Sequence, residues 1–203
     1  MKAHTKVTQA NLTPQLAHQI LVEGNERFVQ NIKAQRDLQQ QVQETIKGQY
    51  PFAVILSCID SRVPTELIFD QGIGDVFCAR VAGNIVNEDM LGSLEYSCKV
   101  AGSKLVMVLG HTSCGAVTAA CKHVELGNIT ALLNKIEPAV KQIEPKTDTY
   151  SEKEIEQVAD INVKLTIERI RNESAVLNEM EKSGEIKIVG AKYNLSTGKV
   201  DFF

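Results

Sequence analysis

The chain has 203 residues, 43% of them hydrophobic and 23% charged, with a formal charge of −3, which suits one folded domain with its own core and excludes a disordered chain. No block of like charges occurs, which argues against nucleic acid or an anionic membrane as partner. The longest stretch free of Asp, Glu, Lys and Arg, Leu105 to Cys121, is short for a membrane span and contains His111, Thr112, Ser113 and Gly110, so no transmembrane helix is expected.

Taken in chain order, the pattern from Thr13 to about Gln43 predicts helix. Thr13 before Pro14 is a cap and first-turn pair, and Leu16, Ile20, Phe28 and Ile32 recur at helical spacing. Gly24 weakens the case for one unbroken helix. Phe52 to Ser57 is short, apolar and β-branched, and reads as a strand buried on both faces. Asp75 to Val81 is a second strand after Gly72 and Gly74. Leu91, Leu94, Cys98 and Ala101 mark one helix face ending at Gly102. Leu105 to Leu109 is a third strand, closed by Gly110. Helix is predicted from Cys114 to Glu125 and from Ile129 to Ile143, with a loop over Pro145 to Tyr150. Ser151, with Glu154 three residues on, starts a long charged helix that Gly184 stops. Its charges read as a solvated face. Ile186 to Val189 is a fourth strand, and Val200 to Phe203 is a candidate last one. The fold expected is α/β: a mainly parallel four-stranded sheet flanked by helices, with an amino-terminal helical arm (1–47), a core (48–203) and a carboxy-terminal edge strand.

Five cysteines, at positions 58, 78, 98, 114 and 121, are an odd number in a long chain. The first thirty residues hold no apolar run longer than Ile20-Leu21-Val22. Free thiols or metal thiolates in the cytoplasm are therefore expected, rather than a disulfide framework. Cys58-Ile59-Asp60-Ser61-Arg62 follows the first strand and His111-Thr112-Ser113-Cys114-Gly115 follows the third. If these strands are neighbours with the second strand outside the first, the two loops meet at the crevice where strand order reverses. Cys58, His111 and Cys114 would then present two thiolates and an imidazole, a set that suits zinc and leaves a fourth position for water or a carboxylate.

Other thiol chemistries fail by counting. A phosphatase loop needs Arg six residues after its Cys, where this chain has Pro64 and Ala120. A dinucleotide loop at Gly72-Ile73-Gly74 has Phe77 in place of its third glycine. Cys78, Cys98 and Cys121 read as packing residues. His4, His18 and His123 have no ligand partner at useful spacing.

The order Cys58-x-Asp60-x-Arg62, then His111-x-x-Cys114-Gly115, resembles the β-class carbonic anhydrases. The likeness continues through Gly74-Asp75-x-Phe77, Arg80-x-Ala82-Gly83-Asn84, Gly92-Ser93-Leu94-Glu95-Tyr96 and Gly190-x-x-Tyr193. Ile59 departs from the usual Ser at a position that is not a ligand. The resemblance implies zinc on Cys58, His111 and Cys114. Asp60 would either take the fourth position or accept a hydrogen bond there, and Arg62 would pair with Asp60. It implies a substrate pocket of Gln49, Phe77, Ala82 and Tyr96, with the Gly115 N–H serving a bound anion. It also implies reversible hydration of carbon dioxide to bicarbonate, and a homodimer or a tetramer of dimers whose amino-terminal helices embrace the partner. The helices between Thr13 and Gln43, with no evident sheet of their own to cover, suit that arm. A carbon disulfide or carbonyl sulfide hydrolase, and a non-catalytic zinc-binding paralogue, are the alternatives within the family. One subgroup carries a second, inhibitory bicarbonate site built on a Trp, an Arg and a Tyr. Here Arg80 and Tyr193 remain, the Trp position is Ile55, and the chain has no Trp, so that site is not expected.

Overall fold

The structure, a computed structural model, describes residues 1–203. Five strands form one sheet: β1 Ala53–Ser57, β2 Val76–Arg80, β3 Leu105–His111, β4 Lys187–Tyr193 and β5 Val200–Phe202. Their order is β2-β1-β3-β4-β5. The first four are parallel, and β5 runs antiparallel to β4 as the expected edge strand. The sequence thus reads the sheet correctly. β3 runs two residues past its predicted end, through Gly110, so His111 closes a strand and does not open a loop.

The helices are α1 Lys6–Ala10, α2 Pro14–Val29, α3 Leu38–Thr45, α4 Thr65–Ile68, α5 Glu88–Glu95, α6 Gly115–Cys121, α7 Gly127–Leu133, α8 Glu137–Val140, α9 Glu152–Glu173 and α10 Ala175–Lys182. β1 and β3 are buried on both faces because their alternate residues enter two cores. Ile55, Leu105 and Met107 face α2 and α4, while Val54, Leu56, Val106 and Val108 face α5, α9 and α10. A third cluster around Val117, Ile136, Val140 and Val158 backs the cysteines at the strand ends.

Several predicted helices divide. The 13–43 helix ends at Val29 because Asn31 turns left-handed (φ 56°), and Asp37 caps a new start by accepting the Gln40 N–H. Pro138, lacking an N–H, separates α8 from α7. Ser174 ends α9 and caps α10 through the Leu177 N–H. The expectation that the amino-terminal helices lack a sheet of their own is corrected. Ala17 and Leu21 of α2 are fully buried in the core cluster of Phe52, Ile55 and Met107. The arm is therefore packed on its own sheet, and Arg27 and Arg36 tie it down through the buried carboxylate of Asp70.

Gly24 does not break α2. A Cβ there would lie 1.9 Å from the Phe69 carbonyl oxygen, so the glycine lets helix and loop touch. Gly24→Ala is expected to destabilise the fold by about 3 kcal/mol, the upper range for overpacking, which urea melts would register as a lower midpoint at unchanged slope.

Candidate metal centre

β1 is followed in sequence by β2 on one side of it in the sheet, and β3 by β4 on the other. The carboxyl ends of β1 and β3 therefore flank the switch point. Cys58 sits one residue past β1 and His111 is the last residue of β3, whose neighbouring turn ends at Cys114. The Cys58 and Cys114 sulfurs and a His111 ring nitrogen all lie within 4.8 Å of one another, and all three residues are buried. His111 Nδ1 lies 2.9 Å from the Thr112 carbonyl oxygen, a contact that places a proton on Nδ1 and leaves Nε2 as the donor atom. Nε2 is buried with no hydrogen-bond partner. A cation would satisfy this orphan, and two soft thiolates with one imidazole suit zinc.

The sulfurs act as a pair. The neighbouring Cys114 thiol and the Gly83 N–H pull the Cys58 pKa well down, against the opposing effect of burial. The Cys114 thiol is pushed up, first by its hydrogen bond to Cys58 and then by burial. The Gly83 N–H stands 3.4 Å from the Cys58 sulfur, with φ at 69°, a left-handed conformation that favours glycine. Asn162 of α9, buried, donates to the Gly83 carbonyl at 2.8 Å and holds that peptide in place. By contrast, Cys78 and Cys98 are held as thiols by burial, both pushed up to about 12, and all five cysteines are unpaired.

Asp60 and Arg62 form a fork: Arg62 Nε donates to Oδ1 at 2.9 Å and Nη2 to Oδ2 at 2.7 Å. This guanidinium holds the Asp60 carboxyl down at about 2. Asp60 Oδ2 lies 4.0 Å from His111 Nε2, beside the three ligand atoms. The loop carrying both residues is pinned by Arg80, whose Nε donates to the Cys58 carbonyl (3.0 Å) and Nη2 to the Asp60 carbonyl (2.6 Å).

The chain matches the family model described as carbonic anhydrase over residues 53–200. It belongs to the β-carbonic anhydrase family. It is 36% identical to carbonic anhydrase 2 of Mycobacterium tuberculosis over 93% of this chain and 92% of that protein. The fold superposes on the β-carbonic anhydrase CafA of Aspergillus fumigatus with a TM-score of 0.73 at 26% identity, over 80% of this chain and 79% of that one. It also superposes on one of two tetrameric β-carbonic anhydrases of Sordaria macrospora (TM-score 0.71, 20% identity, 80% and 85% covered).

The other residues that the family resemblance assigns to a substrate pocket lie in separate places. Ala82 adjoins Gly83 beside Cys58, and Gly115 begins α6 with open space where a Cβ would stand. Gln49 is exposed in the loop before β1. Phe77 and Tyr96 meet across β2 and the end of α5, ring centroids 6.3 Å apart. They line a cleft of about 760 Å³ with Val54, Arg80, Met90 and Gly92, and no metal-site thiol or imidazole borders it. A π-turn over Tyr96–Val100 continues α5 and leaves Tyr96 54% exposed.

Ile55 is fully buried in the core that also holds Tyr193, and two donors of Arg80 are engaged by backbone carbonyls. No indole N–H is present to complete a second anion site. Bicarbonate is therefore expected to act as a simple product inhibitor. Steep, cooperative loss of rate below about pH 8 in steady-state assays against bicarbonate would contradict this.

Proposed function

We propose that the chain reversibly hydrates carbon dioxide to bicarbonate and a proton, with zinc held by Cys58, His111 and Cys114. Zinc supplies a Lewis acid that brings the ionisation of water toward about pH 7. Asp60 accepts a hydrogen bond from the attacking water and so turns its lone pair toward the carbon of carbon dioxide. The oxygen–carbon bond forms as one C=O π pair moves onto oxygen, and the surplus proton leaves for solvent. Arg62 acts as a positioning residue, since its fork keeps the Asp60 carboxylate ionised and prevents it from closing onto the ligand atoms. The observation that carries this reading is the Asp60 oxygen held 4.0 Å from the unpartnered His111 nitrogen. A structural zinc site would be closed by a fourth fixed ligand.

The same proposal includes an oligomer, a dimer or a tetramer of dimers. β2 is an edge strand with one side unpaired, and Phe77 and Tyr96 beside it line a cleft that none of their own chain's metal ligands borders. A partner's edge would bring such residues to the neighbouring centre. Val7, Leu38, Val42 and Ile46 of the 1–47 segment are exposed and suit contact with that partner. No helix is long and apolar enough to cross a membrane, and two metal thiolates with three further free thiols suit the reducing cytoplasm.

Stopped-flow hydration by zinc-loaded protein, with Cys58→Ser alongside and carbonyl sulfide as a competing substrate, tests the reaction. Equal rates for parent and variant would overturn the centre, and preference for carbonyl sulfide would overturn the substrate.

A further inference from the structure

The turn between His111 and Cys114 places Ser113 at φ 53°, a left-handed conformation that a non-glycine residue keeps only when its surroundings impose it. Two side chains from distant parts of the chain grip this residue. Glu156 of α9 accepts the Ser113 N–H on Oε1 at 2.7 Å, and Arg62 Nη2 donates to the Ser113 carbonyl at 3.4 Å. Glu156 in turn faces a cation, with no hydrogen bond to its second oxygen. That oxygen lies 3.4 Å from Lys192 Nζ, and Asp160, one turn further along α9, lies 2.7 Å from the same ammonium. Lys192 is on β4 in register with Gly110, the residue before His111. The rest of the turn is tied to the same strand end, through the Thr112 N–H to the Tyr193 carbonyl and the Leu195 N–H to Thr112 Oγ1.

We infer that Glu156, braced by Lys192 and Asp160, is a positioning residue for the metal centre. By clamping the Ser113 peptide it sets the direction of the Cys114 sulfur and the resting place of Arg62. The inference rests on the proposed zinc centre and extends it to a helix face that sequence patterning assigns to solvent. The carboxylate suits the task because a charge-assisted bond to a backbone N–H is short and strong. A lysine across from its second oxygen stops it from turning away. Groups that orient a ligating residue typically govern metal affinity by about 10–100-fold, and Glu156 does so through the peptide next to Cys114.

The test measures zinc release from folded protein into a chromogenic chelator, together with the visible spectrum of the cobalt-substituted form. Glu156→Ala is expected to release zinc about 10-fold faster or more and to alter the cobalt bands. Glu156→Gln, which keeps an acceptor oxygen, should restore most of the parent behaviour. Lys192→Met, which removes only the brace, should accelerate release several-fold and serves equally if Glu156→Ala does not fold. Release rates and cobalt spectra unchanged in Glu156→Ala and Lys192→Met would overturn the inference, whatever their melting temperatures. A parent protein that takes up no zinc would overturn the carbonic anhydrase reading itself, and this inference with it.

Discussion

His111→Ala is expected to lose zinc and, with it, hydration activity. Apparent binding free energies for thiolate and imidazole zinc sites are about 10–16 kcal/mol. Removing one of three protein ligands therefore costs about 3–5 kcal/mol, a fall of roughly 10²–10⁴ in affinity. Nothing nearby can substitute: His111 is fully buried, its Nε2 has no other partner, and the nearest carboxylate is held by Arg62. The variant should still fold, because β3 remains paired with β1 and β4 along its length. Zinc analysis after dialysis against a weak chelator, with circular dichroism on the same sample, measures both. Full zinc occupancy in a Cys58/Cys114 double variant would refute the ligand set.

Arg62→Ala should do the opposite, keeping its zinc and losing its rate. The Arg62 side chain is 55% exposed, so little of the fold depends on it. What it controls is Asp60. A carboxyl whose folded pKa is depressed contributes stability above its unfolded value near 4, and that contribution is lost as pH falls toward about 2. Across the assay range of about pH 6 to 9, where the pKa of zinc-activated water falls, the parent's Asp60 is therefore fully ionised, and the pair adds no step to the pH profile. Without the fork, the carboxylate is free to swing toward the ligand atoms, and kcat should fall by about 100-fold, the scale of losing one preorganised group. Arg62→Lys should recover only part of that, since an ammonium cannot make the two parallel bonds. Near-parent kcat for Arg62→Ala at pH 8 would remove Arg62 from the mechanism.

Much of this was legible in the amino-acid order. The apolar runs of β1 and β3 announce strands buried on both faces, and the spacing of Cys58, His111 and Cys114 around them places the three donors together. Other features could not be read that way. The burial of α2 depends on Gly24 meeting the Phe69 carbonyl, a contact between segments that no local periodicity encodes. The division of the last long helix turns on Ser174, whose double capping role emerges only with α10 folded back toward Glu95. Glu156 and Asn162 were hidden for a related reason. Their targets are backbone groups, the Ser113 N–H and the Gly83 carbonyl, 43 and 79 positions away in the chain. A helix face of Glu, Asp and Asn looks the same whether it meets water or peptide groups.

Helix α9 reaches both halves of the centre, gripping the Cys58 side through Asn162 and Gly83 and the Cys114 side through Glu156 and Ser113. Any movement that parts the two thiolates is therefore resisted from behind by one continuous strut of 22 residues. Metal retention becomes a matter of how often the strut lifts, not of ligand strength alone. Amide exchange in α9 and the loss of zinc to a strong chelator should accordingly share one opening rate and respond together to temperature and denaturant.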